Sequence, residues 1–177
     1  AGDALGSAML RPFLIDRGLE LAAIGWMLGT VGFSAGLLGA VVGGGIINLL
    51  GRARSLVIFG LTHTLSMLLY AVPAAGMGTE ALLYGLCAAE HFAGSLASVA
   101  LFTQMMDRSR VEAAATDYTA QSSTLAVAVG VVGATSGFLT ESVGYTTLFV
   151  VASIFGLCGV IVYIVISNIQ MGGKNHH

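Results

Sequence analysis

Apolar residues run through this chain in long blocks, interrupted by short clusters of charged and turn-forming residues. Taking those clusters as breaks gives six segments, at about 1–15, 24–50, 55–75, 80–106, 117–140 and 144–168. A helix needs roughly 20 apolar residues to cross a bilayer core, so the pattern predicts an all-α membrane protein of six transmembrane helices. The first segment is the shortest. It holds Asp3 and Arg11 and ends near Pro12, which marks it as a truncated or partly cavity-exposed span.

Composition excludes the soluble classes. The chain is 56% hydrophobic and 9% charged, with a mean hydropathy of +0.89, where an ordinary soluble domain carries roughly 25% charged residues. No water-facing surface can be built from it, and 177 residues in six passes leave no room for a separate soluble domain. A net charge of -2 and the lack of any basic run exclude nucleic acid as a partner. Cys87 and Cys158 sit in apolar stretches with no second Cys or paired His at ligand spacing, so they read as small buried hydrophobes. No cofactor and no metal site is expected. Asp3 stands where a secretory signal would need basic residues, so the chain is expected to start inside a larger sequence. His176 and His177 are either native or the start of a purification tag.

Charge placement orients the spans. Arg52 and Arg54, then Arg108 and Arg110, then Lys174 fall in alternate connections, whereas the others hold Asp16, Arg17 and Glu20, then Glu80, then Glu141. The positive-inside rule puts the arginine pairs and both termini in the cytoplasm. The chain also resembles itself. Asp16-Arg17 and Glu20 recur as Asp107-Arg108 and Glu112, and Gly44, Asn48 and Gly51 recur as Gly137, Glu141 and Gly144. Three helices are thereby repeated, at about 1–75 and 80–168 with a tail at 169–177. An odd number forces the second copy upside down, as in the nested inverted repeats of secondary transporters.

Glycines 25, 29, 32, 36, 39 and 43 form one stripe on the second helix, and Gly130, Gly133 and Gly137 with Ala126 repeat it on the fifth. Such small faces permit close backbone contact between membrane helices. Ionisable groups inside spans are expensive and mark cavities or partners. Asp3, Ser7 and Arg11 make a polar stripe on the first helix, either facing an anionic ligand or snorkelling to the two interfaces. Glu90 and His91 lie roughly ten residues into the fourth helix, too deep to reach water easily. Glu90 is the candidate proton-coupling carboxylate, against a purely structural hydrogen bond. His91 sits about 100° around the helix from Glu90. His63 is alone beside Thr62 and Thr64 and reads as a satisfied core histidine. Gln121 and Asp117 add polar groups at the cytoplasmic end, where Asp117 also suits a helix N-terminus. No Ser/His or paired-carboxylate arrangement falls at one depth and face, so an intramembrane enzyme is not expected.

The run G-G-I-I-N-L-L-G-R-A-R-S-L at 44–56 resembles the signature loop of the major facilitator superfamily, with Gly44, Gly51, Arg52 and Arg54 in place and Asn48 where that loop carries Asp. Gly2-Asp3, E-x-F-x-G at 90–94 and T-D-Y-T-x-Q at 116–121 resemble the C-terminal half of RhtX/FptX-type siderophore permeases, and AmpG-type muropeptide permeases share these landmarks. The resemblance implies helices seven to twelve of a twelve-helix importer of the inner membrane. Proton-coupled uptake of a siderophore or its iron complex is the first reading, a muropeptide or other solute the second, and a non-transporting scaffold the third. Asp3, Arg11, Glu90, His91 and Gln121 would then line or couple to a central cavity. A second six-helix bundle, either an N-terminal half or another copy, is expected against the small faces of the second and fifth helices.

Overall fold

The computed structural model describes the backbone of residues 2–174 and the side chains of residues 2–168; His176 and His177 lie outside the described residues. Long helices dominate: α1 (Gly2–Asp16), α2 (Leu21–Leu50), α3 (Arg52–Leu69), α4 (Glu80–Asp107) and α5 (Ala114–Lys174). Short turns at Ala71–Ala74 and Val111–Ala113 finish the connections, and no strand occurs among the described residues. Four stretches, Leu21–Leu50, Arg52–Ala74, Glu80–Asp107 and Val111–Asn168, are long and apolar enough to cross a membrane, where the hydropathy pattern predicts six. The difference has two causes. α1 has 15 residues, a rise of about 22 Å against a hydrocarbon core of about 30 Å. The last two expected spans form one helical run, interrupted only at Gly144 with φ 77° and ψ 166°.

That interruption reverses the chain. Gly133 lies over Ala4 and Ala8, the Tyr145 hydroxyl donates to Asp16 Oδ2 at 2.6 Å, and Gly2 abuts Ala152 and Gly156. The segment before Gly144 therefore runs along α1 and the segment after it runs back. Gly51, between α2 and α3, has nearly the same backbone at φ 81° and ψ 151°. Both angles suit glycine and strain any L side chain, which is why each of these one-residue breaks is a glycine.

The ends of the helices sort as the charges do. Arg52 pairs with Asp107, and Gln121 Nε2 donates to the Met105 carbonyl at 3.2 Å, so the two arginine-bearing connections share one end. At the opposite end Arg17, Glu20 and Glu80 border one recess, and Asp16 meets Tyr145. Asp16 and Asp107 are 91 positions apart in the sequence, and Arg52 and Tyr145 are 93 apart.

The main core lies toward the Asp16 end, where Leu14, Met27, Leu83, Cys87, Leu148 and Phe149 are buried. Phe149 stacks on Tyr70 at 5.4 Å and meets the edge of Phe13 at 5.5 Å. Ile47, Phe59, Leu96 and Ala100 make a smaller core toward the arginine end. Large side chains such as Phe33, Leu37, Leu38, Val41 and Phe138 are exposed, as helices facing lipid require.

The glycine stripe of α2 divides. A Cβ on Gly39 would stand 2.4 Å from the Phe92 carbonyl oxygen; on Gly32, 2.8 Å from the His91 ring; on Gly36, 3.0 Å from Ser95 Oγ; on Gly43, 3.1 Å from Leu96. These four glycines face α4 of the same bundle, which corrects the expectation that Gly32 and Gly36 meet a second one. Close approach of the α2 and α4 backbones leaves no space for a partner there. Gly25, Gly29, Gly44, Gly130 and Gly137 have nothing within 4 Å of an added Cβ, and Gly133 touches α1 only at ordinary contact distance.

Candidate functional site

Midway along the bundle, four side chains that lie far apart in sequence meet in otherwise apolar surroundings. Asp3 enters from α1, His63 from α3, and Glu90 and His91 from α4. Asp3 Oδ1 lies 3.2 Å from His63 Nε2, which is 3.6 Å from Glu90 Oε1; Glu90 Oε2 is 2.7 Å from His91 Nδ1. Ser7, one turn after Asp3, donates its hydroxyl to Oδ1 at 3.0 Å. Glu90 is 6% exposed, and it is the one charged side chain buried among the described residues.

Local packing explains how two rings fit. His63 rests against Gly94, where a Cβ would be 3.2 Å from Nε2, and His91 rests against Gly32. His91 Nδ1 also lies 3.0 Å from the Cys87 carbonyl one turn back. Facing that ring, α2 takes a π-helical turn at Met27–Gly32. The Met27 carbonyl in this turn accepts the Cys87 thiol at 3.4 Å. π-helical turns expose backbone groups and recur at functional sites.

The cluster borders a cavity of about 340 Å³ between α1, α3, α4 and the end of α5, with Asp3, His63, Thr64, Gly156 and Tyr163 in its wall. Asp3 is half-exposed there and His63 stands between the cavity and Glu90. His63 Nε2 is buried and makes no hydrogen bond, with Asp3 Oδ1 3.2 Å away and Glu90 Oε1, at 3.6 Å, beyond hydrogen-bond reach. One N–H can serve only one of them at a time.

Several expectations need correction here. His63 is not isolated, since it bridges two carboxylates. His91 is not remote from Glu90, because a carboxylate on two methylenes folds back along the helix and closes the angular gap. Asp3 and Glu90 do share a depth, and with His63 they place three potential ligand atoms within 4.8 Å of one another where no metal-type grouping is predicted. Proximity followed from no local spacing. The readable signal was that two lone ionisable groups in mid-span, one acidic and one basic, each need a partner.

The other singled-out residues lie elsewhere. Arg11 is exposed and has no ion pair among the described residues. Gln121 Nε2 binds the Met105 carbonyl and Ser109 Oγ, both at 3.2 Å, tying the start of α5 to the end of α4. Asp117 accepts both the backbone and the guanidinium of Arg110 at 2.8–3.0 Å. Asn48 is exposed; Arg52 pairs with Asp107, and Gly44 and Gly51 have open space around them.

No family model matches the chain. It is 27% identical over 168 residues to the anhydromuropeptide permease of Escherichia coli K12, covering 93% of this chain and 34% of that protein. It is 23% identical over 165 residues to a protein named as a transporter, AmpG 1, of Rickettsia bellii, covering 92% of this chain and 40% of that protein. A Rickettsia felis protein of the same name is 24% identical over 155 residues. The chain thus spans between a third and two fifths of the length of these relatives.

Proposed function

We infer that the chain is the C-terminal six-helix part of a major facilitator-type permease of the bacterial inner membrane that imports a muropeptide in symport with protons. The observation that carries this reading is a buried carboxylate, Glu90, held between two imidazoles beside a cavity in a helical membrane protein. Buried ionisable groups at membrane depth are costly to place and mark solute or proton pathways. The relatives favour the muropeptide alternative over the siderophore reading, since those named for a substrate are anhydromuropeptide permeases. They also favour transport over an enzyme or a scaffold.

The six-helix count and the inverted repeat draw support from Gly51 and Gly144. They are repeat-equivalent, share one unusual backbone conformation and lie at opposite ends of the bundle. The mirrored contacts Arg52 to Asp107 and Tyr145 to Asp16 support the same two-fold relation. A second six-helix bundle would cover surfaces other than the Gly32–Gly43 face, which α4 occupies.

Uptake decides the substrate. Cells expressing the complete gene should accumulate labelled anhydromuropeptide but not labelled ferric siderophore; the reverse would restore the siderophore reading. Orientation is tested separately. Cysteines at 54 and 80 should react with an impermeant reagent from opposite sides of the membrane, with 54 cytoplasmic. Reaction of both from one side would end the six-span arrangement.

A further inference from the structure

Resting on the proton-coupled reading above, we propose that Asp3, His63, Glu90 and His91 form one proton path across the bundle, with His63 as its pivot and Gly32 as the positioning residue that seats its far end.

Three features set this group apart from a structural hydrogen-bond network. Its side chains follow one another at 3.2, 3.6 and 2.7 Å, and the 3.6 Å step from His63 to Glu90 closes to hydrogen-bond distance only when the ring turns. It is open at both ends and closed in the middle: the side chain of Asp3 is 55% exposed at the cavity, Glu90 8% and His91 30%. Its central nitrogen, His63 Nε2, is buried between two carboxylates without a hydrogen bond to either, whereas a purely structural network is expected to be saturated.

The transfers balance at each step. A protonated Asp3 gives its proton to His63 Nε2, leaving a carboxylate and an imidazolium. A small rotation of the ring turns the same N–H toward Glu90 Oε1, and transfer there leaves neutral His63 and a carboxylic acid. The Glu90 carboxyl then turns about its Cγ–Cδ bond, which brings the protonated oxygen to the side facing His91, and gives that proton to Nδ1. The resulting imidazolium releases the proton from Nε2, on the side of the ring that faces Gly32.

Gly32 matters because a Cβ there would stand 2.8 Å from His91 Nε2 and Cδ2. An alanine would push the ring off its contact with Glu90 without adding or removing a titratable group. The other titratable groups near the path are Tyr70, Cys87 and, across the cavity, Tyr163. α2 contributes none, only Gly32 and the Met27 carbonyl.

The test is nitrogen NMR of the histidine rings in the complete protein in lipid nanodiscs, titrated with pH and assigned by single substitution. Groups that interact strongly titrate in shared steps. His63 and His91 should show such steps in the wild type and separate, single ones in Glu90→Gln. Gly32→Ala should uncouple His91 alone, while Gly36→Ala, whose Cβ would press on Ser95 and not on a ring, should leave the shared steps intact. Independent titration of His63 and His91 in the wild type would overturn the path, and an unchanged His91 curve in Gly32→Ala would overturn the role of Gly32. With solute, Gly32→Ala should lower proton-driven accumulation by about tenfold and leave solute exchange intact. Failure of the permease reading is a separate result: no solute uptake by the wild type, with the coupled titration still present.

Discussion

Glu90→Gln in the complete protein is expected to lower proton-driven uptake by about tenfold or more while the amount of folded protein in the membrane stays near wild type. Glutamine keeps the size of the side chain and can still hydrogen-bond to His91, so the packing around it survives. It cannot take up and release a proton. Glu90→Leu should behave differently: it leaves two histidines facing an apolar group, and losing one partner of a buried ionic contact costs about 3–5 kcal/mol, which should reduce folded protein as well. Uptake and membrane yield measured side by side separate the two. Full uptake by Glu90→Gln would make the residue structural only.

The second large effect belongs to the α2–α4 seam. Alanine is favoured over glycine in a helix by about 1 kcal/mol, so Gly44→Ala, with nothing within 4 Å of its Cβ, should leave thermal stability in detergent unchanged or raised. Gly39→Ala should do the opposite. Its Cβ would sit 2.4 Å from the Phe92 carbonyl oxygen, a backbone atom with no rotamer to move. Overpacking of this kind typically costs about 1–3 kcal/mol, and parting the helices would also disturb the contact of His91 with Gly32. Thermal unfolding of the two variants gives the comparison, and a stabilised Gly39→Ala would show that the helices do not meet as described.

The contrast between these two glycines shows what the sequence could carry. Hydropathy and glycine spacing are local patterns, and they made the membrane class, most helix positions and the small face of α2 legible. Which neighbour fills that face is a tertiary fact, and Gly39 reads the same whether it meets α4 or another subunit. Glu90 was legible as a buried carboxylate because charge at membrane depth is costly in any fold. Its partners were not, since Asp3 and His63 are brought to it on two other helices. The angular argument that separated His91 from Glu90 treats side chains as rigid spokes, and a flexible glutamate defeats it. Gly51 and Gly144 stood out by their spacing, but their shared positive-φ backbone and the contacts of Asp16 and Asp107 depend on the folded chain.

The central claim is that Glu90 couples proton entry to solute entry, and proteoliposomes carrying the complete protein and a trapped pH dye test it directly. Adding anhydromuropeptide outside should acidify the lumen of wild-type vesicles as solute enters, and should not do so with Glu90→Gln. Solute entry without acidification, or equal acidification in both, would contradict it.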